Sequence, residues 1–298
     1  MWQRARPLLG TLVVIGIEEE ATGGDAHGAV NAAFAELERL QQLLSYHDPA
    51  SELSRINRDA CRQCITVSSD MWNVLRAAQR FSNASGGLFD VTVAPVLTRL
   101  GFLPRHPEHP RASRHGDWRH IALLPGRRVR LTRALRIDLG GIAKGYAVDR
   151  AVDVLRRNGV QRGSVNAGGD LRCIGPCPFT LHVRHPANPT AFVPVQARKP
   201  AAATSSDYFR HRRRHGHKVT PLVNPHTGNP CIGARSVTVL ADDCMTADAL
   251  TKVVYTAPES ATPLLEAFHA EAVILDILET GACHRGGAIQ HSAGPAHG

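Results

Sequence analysis

The hydrophobic positions of this chain alternate between two periods. Ala29 to Leu44 carries Val30, Phe34, Leu37, Leu40, Leu43 and Leu44 at three-to-four spacing, which predicts an amphipathic helix. The same spacing predicts helices over Asp70 to Asn83, from Ile142 through Tyr146 and Val152 to Leu155, over Asp243 to Tyr255 and over Ala261 to Phe268. Short apolar or alternating runs predict strands at Leu8 to Ile17, Val129 to Ile137, Phe179 to Arg184 and Ala191 to Gln196. Four more follow at Ala201 to Ser205, Val219 to Val223, Arg235 to Leu240 and Ala272 to Leu278. Pro49 ends the first helix, and Ser51 is placed to cap a short turn beyond it. There is no internal repeat. Residues 1–278 suffice for one large domain or two intimately joined subdomains, and 279–298, rich in Gly, Ala and His, are expected to be a disordered tail.

Three of the joints between these elements share a composition. Gly86-Gly87-Leu88-Phe89-Asp90, Asp138-Leu139-Gly140-Gly141 and Gly168-Gly169-Asp170 each set a glycine pair beside a carboxylate. The middle one leads from a strand into a helix that opens with Lys144. One reading is a plain tight turn with a solvated lysine. The other is a place where backbone without Cβ atoms meets a phosphate, with the free N–H groups of the first helical turn pointing outward. Neither the GxGxxG of a dinucleotide fold nor the GxxxxGK[ST] of a P-loop is present, so those two mechanisms are unsupported. Asp242, Asp243 and Asp248 add carboxylates around a later helix start, a pattern that suits Mg²⁺ against a diphosphate.

Charge narrows the partner class. The formal balance is +9, concentrated in Arg210 to Lys218 and in Arg127, Arg128, Arg130, Arg133 and Arg136. With 5% aromatic residues, none interleaved with the basic runs, there is no stacking platform for nucleic acid. The first basic run is expected to be a mobile surface loop, and the histidines between 103 and 117 to be solvated. The seven cysteines read as free thiols rather than a zinc site. No apolar run reaches the roughly 18 residues of a membrane span, and no export signal is visible, so a cytoplasmic setting is expected.

Taken together, Leu9-Gly10-Thr11, the run Asp48 to Asn57, Gly87 to Pro95, Asp138 to Asp149, Asn166 to Asp170, Ala203-Thr204-Ser205, Asn224-Pro225-His226-Thr227-Gly228 and Ala247 to Leu250 resemble the ApbE-like FAD:protein FMN transferases. Their order and approximate spacing follow the family over nearly the whole chain. The resemblance implies an α+β fold, a T-fold-related mixed-sheet domain with packed helices. FAD would be the substrate and Mg²⁺ the cofactor, and the partner would be an acceptor flavoprotein that offers a Thr or Ser hydroxyl. It further implies that Leu88, Phe89 and Asp90 line the flavin nucleotide, that Asp138 meets its sugar or adenine portion, and that Lys144 approaches from the helix. Leu9, His47 and Thr204 fall at further cofactor-contacting positions. The metal would take the carbonyl of Gly141, the carboxylate of Asp248 and Thr251.

Four positions depart from the family pattern. Lys252 stands where a Thr is usual, Ser206 where a Gly is, and Pro221 and Asn224 replace a candidate base and a carboxylate. Asp248 and His217 are then the candidate catalytic residues, His217 being the nearest histidine in sequence to the lost base. The alternatives are a flavin-binding protein of the same fold without transfer and, more remotely, a nucleic-acid-binding protein.

Overall fold

The first seven residues of the described chain form a strand that the hydrophobic pattern did not predict. In a computed structural model that describes residues 2–18, 25–112, 116–188, 190–207, 211–214, 216–233, 235–276, 285–286 and 289–291, the elements begin with β1 (Trp2–Leu8), β2 (Thr11–Ile17), α1 (Ala26–Leu44) and α2 (Glu52–Asp59). Next come β3 (Ile65–Thr66), α3 (Ser69–Ala84), α4 (Ala94–Leu100), β4 (Ile121–Leu124) and β5 (Arg128–Leu131). After them run α5 (Ala143–Arg157), β6 (Gly163–Ala167), β7 (Asp170–Ile174), β8 (Phe179–Arg184), β9 (Phe192–Ala197) and β10 (Ala201–Ser206). The last elements are β11 (Arg212–Arg214), β12 (His217–Val219), β13 (Arg235–Ala241), α6 (Cys244–Thr256), α7 (Thr262–Ala267), β14 (Glu271–Asp276), β15 (Arg285–Gly286) and β16 (Ile289–His291). The chain divides into two units. One comprises Met1–Arg39, Lys144–Phe209 and Gly233–Gly298, the other Leu40–Ala143 and Arg210–Ile232.

The first unit is built on a nine-stranded sheet in the order β1-β2-β6-β7-β10-β13-β14-β16-β15, antiparallel except at β14–β16. β1 escapes the pattern because its inner positions are filled by Arg4 and Arg6, whose guanidiniums lie over the Phe34 ring of α1 at 5.9 and 4.7 Å. Their apolar stems and flat cations do the covering that aliphatic side chains usually do. Side chains alternate across β10 and β13, so the two faces of the sheet receive different partners. Ala202 and Leu240 join Val183, Val195, Val273 and Leu275 under the β8–β9 hairpin. The alternate positions, including Ser205, face α6, whose Thr251 hydroxyl is 2.7 Å from Ser205 Oγ.

The β1–β2 turn is Leu9-Gly10, both at positive φ (55° and 70°). A leucine side chain in that region is strained. Leu9→Gly is expected to raise stability by about 0.5–1 kcal/mol, after the extra unfolded-state freedom of glycine is subtracted. Urea unfolding of the two proteins measures it, and an unchanged or lower midpoint would mean that the leucine side chain contributes more packing than the turn costs.

The second unit holds α2, α3, α4 and a three-stranded sheet β3-β5-β4. Ser51 caps α2, its Oγ accepting the Ser54 N–H at 3.0 Å, and so starts a full helix of eight residues from Glu52 where only a short turn was expected. The strand expected to run to Ile137 stops at Leu131. Beyond it the backbone is bound by a side chain instead of a ladder. Asn57, fully buried, accepts the Ile137 N–H at 2.7 Å and donates to the Ile137 carbonyl at 2.9 Å. Asn57→Ala would leave both buried backbone groups unpaired and is expected to cost about 2 kcal/mol, read from thermal or urea melts; a loss under a few tenths would show that water takes over both bonds.

Three further expectations need correction here. His106 and His109 are not solvated: both rings pack edge-on against Tyr46, and His106 Nε2 lies 2.9 Å from the Tyr46 carbonyl. Arg212–Arg214 and His217–Val219 pair as the antiparallel strands β11 and β12 where a mobile loop was expected, with Arg210 and His215 outside the described residues, and the strand expected over Val219 to Val223 ends at Val219. Arg212 explains the order, since it donates to the Gly101 carbonyl and lies over the Phe102 ring at 5.3 Å. Of the expected tail, the structure describes only β15 and β16; the rest of 279–298 lies outside the described residues. Among the described residues no helix is long and apolar enough to cross a membrane.

Candidate functional site

In the second unit the first two glycine corners are tied to each other. Asp138 donates its backbone N–H to the Val91 carbonyl at 2.8 Å, immediately after Asn57 has fixed Ile137. Gly86 and Gly87 turn at φ 60° and 90°, and a Cβ on Gly87 would sit 3.2 Å from His226 Nε2. That histidine reaches the Gly86 carbonyl at 3.1 Å, which draws the Asn224-to-Gly228 turn onto the first corner. A small cavity of about 210 Å³ opens there, lined by Gly87, Asp90, Asp117, Trp118 and His226. The Trp118 Nε1–H is buried without a partner.

The carboxyl groups at these corners are shifted. Burial raises Asp90 above the ordinary carboxylate value, while hydrogen bonds from the Thr92 hydroxyl and amide, both 2.7 Å, pull the other way. Asp138 is pushed up to about 6 by burial, opposed only by the Gly140 N–H that its side chain accepts. This reshapes the expected phosphate cradle. Gly140 N–H is already bonded to Asp138, and the N–H groups of Ile142 and Ala143 go to the Leu139 carbonyl.

The first unit continues the same helix start with a second carboxylate. Asp248, 0% exposed on α6, accepts the Gly145 N–H through Oδ2 at 3.1 Å. Its Oδ1 is paired with Lys252, one helical turn on, and Lys252 Nζ also donates to the Asp248 carbonyl at 2.9 Å. Lys144 pairs with Asp170, which is 1% exposed at the start of β7. Burial would push the Asp248 carboxyl up, but the Lys144 and Lys252 ammonium groups and the Gly145 N–H outweigh it and hold it below the ordinary value. Asp149 fixes where α6 begins: its Oδ1 accepts from Cys244 N at 2.9 Å and Arg172 at 2.7 Å, and its Oδ2 from Met245 N at 2.8 Å.

The sequence-derived candidates therefore fall into separate groups. Lys144, Asp248 and Thr251 meet in the first unit. Thr204 lies in that unit too, but on the opposite face of β10, where its hydroxyl is 2.8 Å from Thr238 Oγ1; Ser205 is the β10 hydroxyl that meets α6. Phe89, buried against Phe81, joins Leu88, Asp90 and Asp138 in the second unit. Leu9 occupies the β1–β2 turn, and His47 is exposed just after α1. His217 is exposed on β12 opposite Arg214. Gly141 lies at the end of the second unit, just before α5. Asn57, Asp149, Asp170 and Ser205 carry roles that no local pattern signals, because their partners are 80, 23, 26 and 46 residues away.

The Mg²⁺ implied by the resemblance does not fit the donors in the first unit. Both Asp248 oxygens are engaged, one by a backbone N–H and one by an ammonium. The Thr251 hydroxyl donates to the Asp248 carbonyl at 2.7 Å and bonds Ser205. A cation needs lone pairs turned toward one point, and here Lys252 has taken them. Among the described residues no group of three or more His, Cys, Asp or Glu is placed to hold a metal.

Known proteins share this arrangement of elements. The ApbE protein of Thermotoga maritima superposes with a TM-score of 0.81 at 28% identity, covering 92% of this chain and 93% of that one. The flavin transferase ApbE of Vibrio cholerae gives 0.76 at 26% identity, covering 98% and 97%. In sequence, an FAD:protein FMN transferase of Vibrio cholerae is 30% identical over 230 residues, 72% of this chain and 69% of that protein. One from Haemophilus influenzae is 29% identical over 253 residues, 78% and 72% of the two chains. Residues 9–274 match the ApbE family as a whole, and the chain belongs to that family.

Proposed function

We propose that this protein is an FAD:protein FMN transferase. A Ser or Thr hydroxyl of an acceptor protein attacks the FMN-side phosphorus of FAD. The new P–O bond forms as the bond to the AMP oxygen breaks, and the hydroxyl proton passes to the departing phosphate or to water. The protein has little covalent chemistry to do in such a step; it must neutralise the diphosphate and hold the hydroxyl in line. The observation that carries the proposal is the cluster at the start of α5, where Lys144 and Lys252 surround the buried Asp248 carboxylate. Each lysine side chain is held by a buried carboxylate, Lys144 by Asp170 and Lys252 by Asp248, and keeps about a fifth of its surface exposed (22% and 23%).

A second reading, flavin binding without transfer, is favoured by one observation. Asn224, in place of a carboxylate, spends its Oδ1 on the His226 and Thr227 amides at 2.9 and 3.3 Å. The test is to incubate the protein with FAD and a Thr-containing acceptor domain and weigh the acceptor. A gain equal to FMN supports transfer; bound FAD beside an unmodified acceptor supports the second reading.

A further inference from the structure

We infer that the Lys252 ammonium is this chain's own substitute for a divalent cation, so that the flavin diphosphate is held without Mg²⁺; the inference rests on the flavin reading above. The lysine is bound to the one carboxylate of the implied metal set, Asp248, through Oδ1, and to the Asp248 carbonyl at 2.9 Å. The remaining carboxylate oxygen is held by Gly145 N–H at 3.1 Å, and the neighbouring hydroxyl, Thr251, is turned inward to Ser205 at 2.7 Å. An ammonium has three donors and no acceptor. Two N–H groups of Lys252 are spent on Asp248, and the third has no acceptor among the described residues. The Lys252 side chain is 23% exposed, so it is within reach of a ligand. A phosphate oxygen is the ligand such a donor suits, since a charge-assisted bond to an oxyanion is short and strong. A divalent ion arriving beside Lys252 would meet a like charge and no open carboxylate oxygen.

The arrangement makes a prediction opposite to that for a metal-dependent site. Calorimetric titration of FAD into the full chain should give the same affinity in EDTA as in millimolar Mg²⁺. Lys252→Thr should bind FAD at least about tenfold more weakly in EDTA, the effect of losing one charge-assisted bond, and recover when Mg²⁺ is added. A wild-type affinity that rises about tenfold or more on adding Mg²⁺ would overturn the inference, with no variant needed. So would equal FAD binding by Lys252→Thr and wild type in EDTA. Mn²⁺ followed by electron paramagnetic resonance without flavin gives an independent readout. The ion should stay free with the wild type and bind to Lys252→Thr, and wild-type binding that Asp248→Asn abolishes would count against the lysine's role. A wild type that binds no FAD in either buffer would bring down the flavin reading itself, which distinguishes that failure from a metal-dependent site.

Discussion

Gly145→Ala is expected to lower stability by about 3 kcal/mol, although alanine is ordinarily the better helix former by about 1 kcal/mol. The reason lies in what stands opposite. A Cβ at Gly145 would lie 2.7 Å from the Cys244 carbonyl carbon and 2.7 Å from Met245 Cα, both backbone atoms. They cannot swing aside, because Asp149 holds the Cys244 and Met245 amides at 2.9 and 2.8 Å and is itself held by Arg172. The α5 start must therefore move away. Overpacking of this kind costs about 1–3 kcal/mol. The displacement also stretches the 3.1 Å bond from Gly145 N–H to Asp248, and a hydrogen bond to a charged group is worth about 1.5–3 kcal/mol. Gly140→Ala is the control. There the three atoms nearest the added Cβ all belong to the Asp138 side chain, the first at 3.0 Å, and a side chain yields by a few tenths of an ångström more readily than backbone does. Thermal melts of both variants decide the matter: Gly145→Ala should fall well below wild type and Gly140→Ala should stay close to it. Coincident melts would mean that α5 and α6 do not approach backbone to backbone.

The same contact shows what the sequence could and could not disclose. Helices announce themselves by local periodicity, and α1, α3, α5 and α6 lie within a few residues of where the apolar spacing puts them. Among the strands of the sheet, β6 and β7 hide behind a glycine corner, whereas β2, β10, β13 and β14 were legible from an apolar face. β1 was not, because arginine stems cover Phe34 where aliphatic residues are usual. The strand to Ile137 was overextended for a related reason: its apolar residues are buried, but their backbone is claimed by Asn57. At the site, the glycine corners marked the right places and the wrong occupants. The amides expected to face a phosphate are largely satisfied from within, by Asp138, Leu139 and Asp248. Sequence spacing did place Asp248 and Lys252 on one helix face, since that pairing is local. It could not reveal that Asp248 is wholly buried, nor that Lys144 adds to its field from another helix.

That burial turns an ordinary i, i+4 pair into one with a pH signature. Exposed pairs of this kind contribute only some tenths of a kcal/mol. Asp248 is different because burial works against its charge, and the Lys144 and Lys252 ammonium groups with Gly145 N–H are what reverse the balance. In the wild type its folded pKa lies below the unfolded value of 3.8, so this carboxylate adds stability above about pH 4 that is lost as pH falls through the folded pKa. Lys252→Met keeps the length of the side chain and removes the charge. Burial then gains on the remaining partners and the folded pKa rises above the unfolded one. The folded variant holds a proton that the unfolded chain has released, and its stability declines as pH rises from about 4 toward neutrality. The gap between variant and wild type should thus be small near pH 4 and reach about 3 kcal/mol at pH 7, the lower end for breaking a buried pair because Lys144 remains. Asp248→Asn combined with Lys252→Met should remove the part of the pH dependence that Lys252→Met adds, since no buried charge is left on α6 to titrate. Urea unfolding of the three proteins across this range measures all of it, and a stability loss in Lys252→Met that is equal at both ends would show that Lys252 acts through packing alone.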